Sequence, residues 1–161
     1  MTFEEALRLA VRWLGYRDRP AGEIGERLRK RGAEEEIIAR VLEHLRSRGW
    51  LDDGAWAERW VSSRVRRGWG RGRLVAGLMQ QGLPRSEAEA IVFRLVDLST
   101  EVEQGLRILR RRRPEPEAGL GWHRAISRLQ RRGFSGESLA ALRRRLEEVG
   151  LADLDNQGAG E

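Results

Sequence analysis

No cysteine occurs in the 161 residues. Disulfides and thiolate metal sites are therefore excluded. There is also no run of about 18 apolar residues, the length a membrane-spanning helix needs, so no membrane partner is expected. Valine and isoleucine are sparse. Alternation of apolar and polar residues at period two is nowhere sustained, which removes the signature of β-strands. The only histidines are His44 and His123. Each stands alone in a helical pattern with no ligand three or four residues on, so no metal site is expected and a surface or core-edge place is the simpler reading. Ser62 and Ser63 have no nucleophile context. Asp52 and Asp53 lie where a helix start takes anionic caps. A metal-dependent nuclease needs further converging carboxylates, and none can be nominated. The expectation is a non-enzymatic chain without catalytic residues, metal or cofactor.

Lysine is nearly missing as well. Lys30 is the one lysine among 31 basic residues, and the rest are arginine. The planar guanidinium fork matches carboxylate and phosphate, so the bias suits a nucleic-acid or acidic-protein partner. Abundant Arg, Gly, Ala and Leu also fit a coding bias, and both readings stand. The formal net charge is +6. The opening stretch MTFEEALRLAVRW carries acids and no uncharged apolar segment, so a secretory signal is not expected and the cytoplasm is the default.

What the chain has in plenty is apolar residues at spacings of three and four, among Leu, Ala, Glu and Arg. That pattern predicts an all-α fold. Three stretches share one pattern: residues 23–45, 73–95 and 124–146, aligned on Gly32, Gly82 and Gly133. Four residues before each glycine stands Leu28, Leu78 or Leu129. Nine after stands Val41, Ile91 or Leu142, and thirteen after stands Leu45, Leu95 or Leu146. Gly49 and Gly150 match as well. Each anchor glycine sits where a helix C-cap needs a left-handed backbone. Ser135 follows as an N-cap, and Pro84 fits a helix start.

A further helix precedes each pair. The first starts at Thr2 with Glu5 as a capping box, and its buried face reads Ala6, Leu7, Ala10, Val11 and Leu14. The second is capped by Asp53 and buries Trp56, Ala57, Trp60 and Val61. The third repeats the capping box at Thr100 and Glu103 and buries Val102, Leu106 and Leu109. The chain thus reads as three tandem three-helix, helix-turn-helix-like repeats, 1–51, 52–98 and 99–152, with a flexible polar tail at 153–161. Stacked neighbours should give one elongated, curved array. Residues 110–122, with their prolines and glycines, read as a flexible loop.

The stretch RRGWGRGR, Arg66 to Arg73, links the first and second helices of the second repeat. Its glycines raise the question of a phosphate-cradling loop. Such a loop needs a preceding strand, and a Walker loop also needs Lys-Ser or Lys-Thr. Neither is present, so a glycine turn between helices is the reading for the glycines. The arginines Arg64, Arg66, Arg67, Arg71 and Arg73 form either a solvated face or a contact with an anionic partner. Trp69 and Trp122, both placed in links, are the candidates for exposed contact.

In order and spacing these features resemble the RecX family. They are Arg31-Gly32, the helix to Leu45, Trp50-Leu51-Asp52-Asp53, the Trp56–Arg67 helix, Gly68 to Gly72, and Arg131-Arg132-Gly133-Phe134-Ser135. The resemblance covers about residues 5–150. At the start of the second helix this sequence departs from the family's usual Arg-Ser then Glu-Leu, carrying Arg19-Pro20 then Glu23-Ile24. Asp18 is the substitute cap. The resemblance implies a regulator, usually an inhibitor, of the RecA recombinase. It would bind the recombinase–DNA filament, with single- or double-stranded DNA as a direct partner in some members. DNA repair and the SOS response are the implied setting, and nothing in the sequence demands more than a monomer.

Charge counts by repeat are +2 for residues 1–51 (11 basic, 9 acidic), +2 for 52–98 (8 and 6) and +4 for 99–154 (12 and 8). The third repeat adds Arg124, Arg128, Arg131 and Arg132 along one helix, the first three sharing a face. That face and the Arg64, Arg66, Arg67, Trp69, Arg71, Arg73 cluster are the expected contact surface for recombinase or DNA. A helical DNA-binding module acting without recombinase is the alternative.

Overall fold

The structure, a computed structural model, describes the backbone of residues 1–111 and 120–157 and the side chains of 1–111 and 124–148. Among the described residues all regular structure is helical: α1 Phe3–Tyr16, α2 Ala21–Lys30, α3 Glu35–Ser47, α4 Asp53–Val65, α5 Arg71–Gln80, α6 Arg85–Leu95, α7 Leu98–Arg111, α8 Leu120–Arg131 and α9 Gly136–Gln157. No helix is long and apolar enough to cross a membrane, among the described residues. The chain divides into two compact units, Met1–Ser63 with Val75–Ile91, and Arg64–Leu74 with Val92–Glu161.

The three anchor glycines take the left-handed backbone the sequence predicts, with φ of 84°, 95° and 84° at Gly32, Gly82 and Gly133. Each turn closes identically. The N–H after the glycine donates back to the leucine carbonyl five residues earlier: Ala33 to Leu28 (3.1 Å), Leu83 to Leu78 (3.2 Å) and Phe134 to Leu129 (3.1 Å). This is the Schellman closure, and its apolar partners follow suit. Leu28, Leu78 and Leu129 are fully buried, and Ala33, Leu83 and Phe134 are buried beside them.

In the first unit α1 packs on α2 and α3 around Ala6, Ala10, Ile24, Leu28, Ile38, Val41 and Leu45. The Thr2–Glu5 capping box forms as expected, each side chain bonding the other's N–H. Val11, expected inside, is exposed, because the buried stripe of α1 runs through Ala6 and Ala10 with Phe3, Leu7, Trp13 and Leu14 along its border. Trp56 is buried and Trp60 half-buried, their rings 6.2 Å apart. The Trp60 ring covers Gly77, where a Cβ would run into it. His44 sits at the core edge, its ring edge-on to Phe3 at 5.9 Å. In the second unit α7 and α8 pack on α9 through Val102, Leu106, Leu109, Leu129, Phe134 and Leu142.

Several local expectations shift by a residue or a turn. On α6 the fully buried positions are Ala88 and Val92, with Val96 buried just past its end, while Ile91 and Leu95 are half-buried. A helix cap lies one residue ahead of the first helical residue. Since α4 begins at Asp53, its cap is Asp52, whose Oδ1 accepts from Ala55 N–H (3.0 Å). Asp53 is thereby released, and its Oδ1 accepts from Ala21 N–H (2.8 Å), the first residue of α2. Pro20 precedes α2 and offers no side-chain cap, so an acid 32 residues on takes that place. Asp18, expected there, pairs instead with Arg59 (2.8 Å). Likewise α7 starts at Leu98, two residues before Thr100. Its cap is Asp97, which accepts from Thr100 N–H (2.7 Å). Bonds from the Thr100 backbone and then its side chain hold Asp97 below the usual carboxylate range. Glu103, free of the expected box, bonds to Arg145 on α9.

Two further expectations meet the described backbone. α9 runs on to Gln157, so the helix enters the expected tail. α7 reaches Arg111 and α8 starts at Leu120, which trims the loop expected at 110–122. Residues 112–119 and 158–161 lie outside the described residues.

Candidate functional site

α4 ends at Val65 and the chain turns through Gly68, whose φ is 85°. Trp69 N–H donates to Arg64 O at 3.2 Å, the same closure used at the anchor turns. The next residues lie against the α8–α9 turn. Gly70 N–H donates to Arg132 O (2.7 Å) and Gly72 N–H to Gly133 O (2.9 Å). A Cβ on Gly70 would run into the Phe134 amide nitrogen, so backbone meets backbone here. The alternate glycines are thus explained by close approach. Their N–H groups are spent on turn carbonyls and are not available to cradle a phosphate.

Arg71 starts α5 and is built into the fold. Its N–H donates to Glu101 Oε1 (2.7 Å), its Nε to Glu101 Oε2 (3.1 Å) and its Nη2 to Ser135 Oγ (3.3 Å). Its guanidinium also stands 5.1 Å from the Phe93 ring centre. Glu101 has no exposed surface, and it also accepts from Ser135 and Ser138. Ser135 in turn caps α9, accepting from Ser138 N–H (3.2 Å), as the sequence predicts. A buried carboxylate requires this number of donors.

Trp69 is half-buried, not exposed: the Arg64 and Arg73 guanidiniums lie 5.5 and 3.8 Å from its ring centre. Burial, and then the nearby Arg67, lower the pKa of Arg64. Arg66, Arg67 and Arg73 are exposed, as are Arg124, Arg128 and Arg131 on α8. Arg132, half-buried, lays its guanidinium over Gly68, where a Cβ would leave no room for it. Trp122 and His123 fall in the first turn of α8, and their side chains lie outside the described residues. The exposed tryptophan among the described side chains is Trp50 (53%), which the sequence reading did not single out.

These pieces border a groove of about 670 Å³ within the second unit. It is lined by Arg66, Arg67 and Arg132, by Val65, Ser99, Gln104 and Ile108, and by two arginines missed in the sequence, Arg107 and Arg111. Both of those are exposed on α7, on the side away from its apolar stripe. The i, i+4 series Glu103, Arg107, Arg111 was the available signal. Arg128 and Arg132 border a smaller depression against Ile108 and Leu129, while Arg124 and Arg131 border neither. The ten nominated residues therefore separate into one fixed in the core (Arg71), a stacked trio (Arg64, Trp69, Arg73), a groove set (Arg66, Arg67, Arg132) and an exposed α8 set (Arg124, Arg128, Arg131).

Known proteins resemble this chain in the same order of elements. Residues 6–45 match the model of the first three-helix domain of RecX, and residues 52–91 match that of the second. The "Regulatory protein RecX" of Treponema pallidum is 34% identical over 132 residues, covering 81% of this chain and 79% of that protein. That of Halorhodospira halophila is 33% identical over 141 residues, covering 85% and 86%. The crystal structure of RecX from Lactobacillus salivarius superposes with a TM-score of 0.77 at 19% identity, over 90% of this chain and 96% of that one, a likeness of fold. Two consecutive domain matches and relatives aligned over most of their length place the chain in the RecX family of regulatory proteins.

Proposed function

We propose that this chain binds the filament that a RecA-type recombinase forms on DNA, and that it restrains the filament's assembly and activity. Membership of a regulatory family carries the reading, through the two consecutive three-helix matches. The chain acts by docking, with no catalytic step and no cofactor. It works in the cytoplasm as a monomer, in the setting of recombination, DNA repair and the SOS response. Three repeats, 1–51, 52–98 and 99–152, with a tail at 153–161, form its working surface. The exposed arginines Arg66, Arg67, Arg73, Arg124, Arg128 and Arg131 are the side chains offered to the partner. Guanidinium forks on a helical scaffold suit the carboxylates and phosphates that a protein–DNA filament presents.

The test is a titration of DNA-dependent ATP hydrolysis by the cognate recombinase. The chain should lower the rate at substoichiometric ratios, and Arg124→Glu with Arg128→Glu and Arg131→Glu should weaken that effect. An unchanged rate at saturating amounts of the parent chain would contradict the proposal. The second reading, a DNA-binding module that needs no recombinase, is favoured by the basic groove. It requires tight, strongly salt-dependent binding to DNA alone together with an unaltered recombinase.

A further inference from the structure

Two of the three anchor turns receive the start of another helix. In the first unit the start of α2 lies on the Gly82 turn. A Cβ on Gly22 would stand 2.5 Å from the Gln81 carbonyl oxygen, and one on Gly82 would stand 3.0 Å from Gly22 Cα. In the second unit the start of α5 lies on the Gly133 turn, where the Gly70 and Gly72 N–H groups donate to the Arg132 and Gly133 carbonyls. A Cβ on Gly133 would stand 2.4 Å from the Arg73 amide nitrogen. Both incoming helices carry glycine as their second residue, Gly22 in α2 and Gly72 in α5. Each joint is completed by a carboxylate on the first N–H of the incoming helix, from Asp53 at Ala21 and from Glu101 at Arg71. The Gly32 turn has the same closure and the same φ of 84° as Gly133, yet a Cβ on Gly32 would meet nothing within 4 Å. Its Arg31 and Gly32 carbonyls are the counterparts of those on Arg132 and Gly133, and they accept no hydrogen bond among the described residues. The Arg31 side chain is exposed and forms no ion pair among them.

We infer that the Gly32 turn is a docking site for the start of a helix of the recombinase subunit, a helix with glycine as its second residue and an acid in its first turn. The inference rests on the reading above for the partner's identity and adds the place at which that partner is held. Its physical ground is what closes the other two turns. A turn that ends one helix offers carbonyls with partial negative charge, and the start of another helix offers N–H groups with partial positive charge. The two come within bonding distance only where neither side carries a Cβ at the contact, and Gly32 leaves its side open. The acid that Asp53 and Glu101 supply at the other joints has to come from the partner here. Arg31, whose own carbonyl is one of the two on offer, is the unpaired cation that an acid in the incoming first turn would meet. A second copy of this chain fits less well. Its α8 carries Gly121 as the second residue, but no acid stands in the first turn of that helix.

The experiment reads, by fluorescence anisotropy, the docking of the labelled full chain on recombinase filaments assembled on single-stranded DNA. The parent is compared with Gly32→Asn, which fills the open side of the turn with a residue that tolerates a left-handed backbone. Gly49→Asn is the control. Gly49 also has a left-handed backbone (φ 69°) with nothing within 4 Å of an added Cβ, so the same substitution there leaves the Gly32 turn untouched. Gly32→Asn should weaken docking at least about tenfold, the factor that goes with losing a pair of backbone hydrogen bonds. Gly49→Asn should dock as the parent does, and both variants should keep the parent's circular dichroism. Arg31→Glu, at an exposed side chain, should weaken docking as well, since it sets like charge against the partner's acid. Equal docking of the parent and Gly32→Asn would overturn the site and leave the proposed function standing, and so would an equal loss in the two asparagine variants. An oligomer of the chain alone in sedimentation that Gly32→Asn dissolves would make a second copy the occupant and overturn the assignment to the recombinase. A parent that fails to dock on the filament would sink the proposed function, and this site with it.

Discussion

Gly32 and Gly133 share a φ of 84°, yet their surroundings differ completely. A Cβ on Gly32 meets nothing within 4 Å, while one on Gly133 runs into backbone atoms of Arg73. The two positions therefore separate conformational strain from steric overlap. Gly32→Ala should cost only the left-handed backbone penalty, about 1–2 kcal/mol. Gly133→Ala should cost well beyond that, because Arg73 backbone must move and the Gly72-to-Gly133 hydrogen bond goes with it. Urea midpoints of the two variants measure the difference, and equal midpoints would contradict the close approach. All three anchor glycines were legible in the sequence from their spacing to the buried leucines. What was not legible was that the glycines of the α4–α5 link answer to Gly133. That pairing is between segments about 60 residues apart, and no local pattern reports it.

At the scale of elements, helix identity and order came through because apolar spacing dominates the sequence. Cap assignments failed at two of the first helices for one physical reason. Asp, Ser and Thr all accept from a helix N-terminus, so a run such as Asp52-Asp53 or Asp97 through Thr100 offers more than one candidate. Which one caps is settled by where the helix starts. The acid left over then serves another helix. Asp53 reaches the first N–H of α2, and Glu101 reaches the first N–H of α5. Neither Pro20 nor Gly70, the residues ahead of the two recipient helices, offers a side-chain cap, and both carboxylates come from the first turn of a later helix. Asp53→Ala should therefore destabilise α2 and leave the start of α4 to Asp52. The expected loss is about 1 kcal/mol, the usual cost of a cap. Amide hydrogen exchange should show it as faster exchange at Ala21, with Ala55 unaffected. Faster exchange at Ala55 with Ala21 unchanged would restore Asp53 to the role the sequence suggested. The groove arginines on α7 were not legible for a related reason: apolar spacing marks the face that packs, and a charged opposite face reads the same whether or not it borders a groove.

For the whole molecule, the charge and the family point the same way. A formal net charge of +6, carried almost wholly by arginine, draws the chain toward polyanions. Within the first unit most of those charges are answered by local acids, and in the groove of the second they are not. The groove arginines are thus uncompensated among the described residues. Net charge alone, the quantity a sequence gives directly, does not separate the two cases; the pairing of each guanidinium does. The claim at the centre of this account is restraint of a recombinase filament by docking. Its most direct measurement is the growth rate of recombinase filaments from preformed nuclei on single-stranded DNA, with the chain added at substoichiometric amounts. The account predicts that growth slows in proportion to added chain; growth at the same rate with the chain at saturation would contradict it.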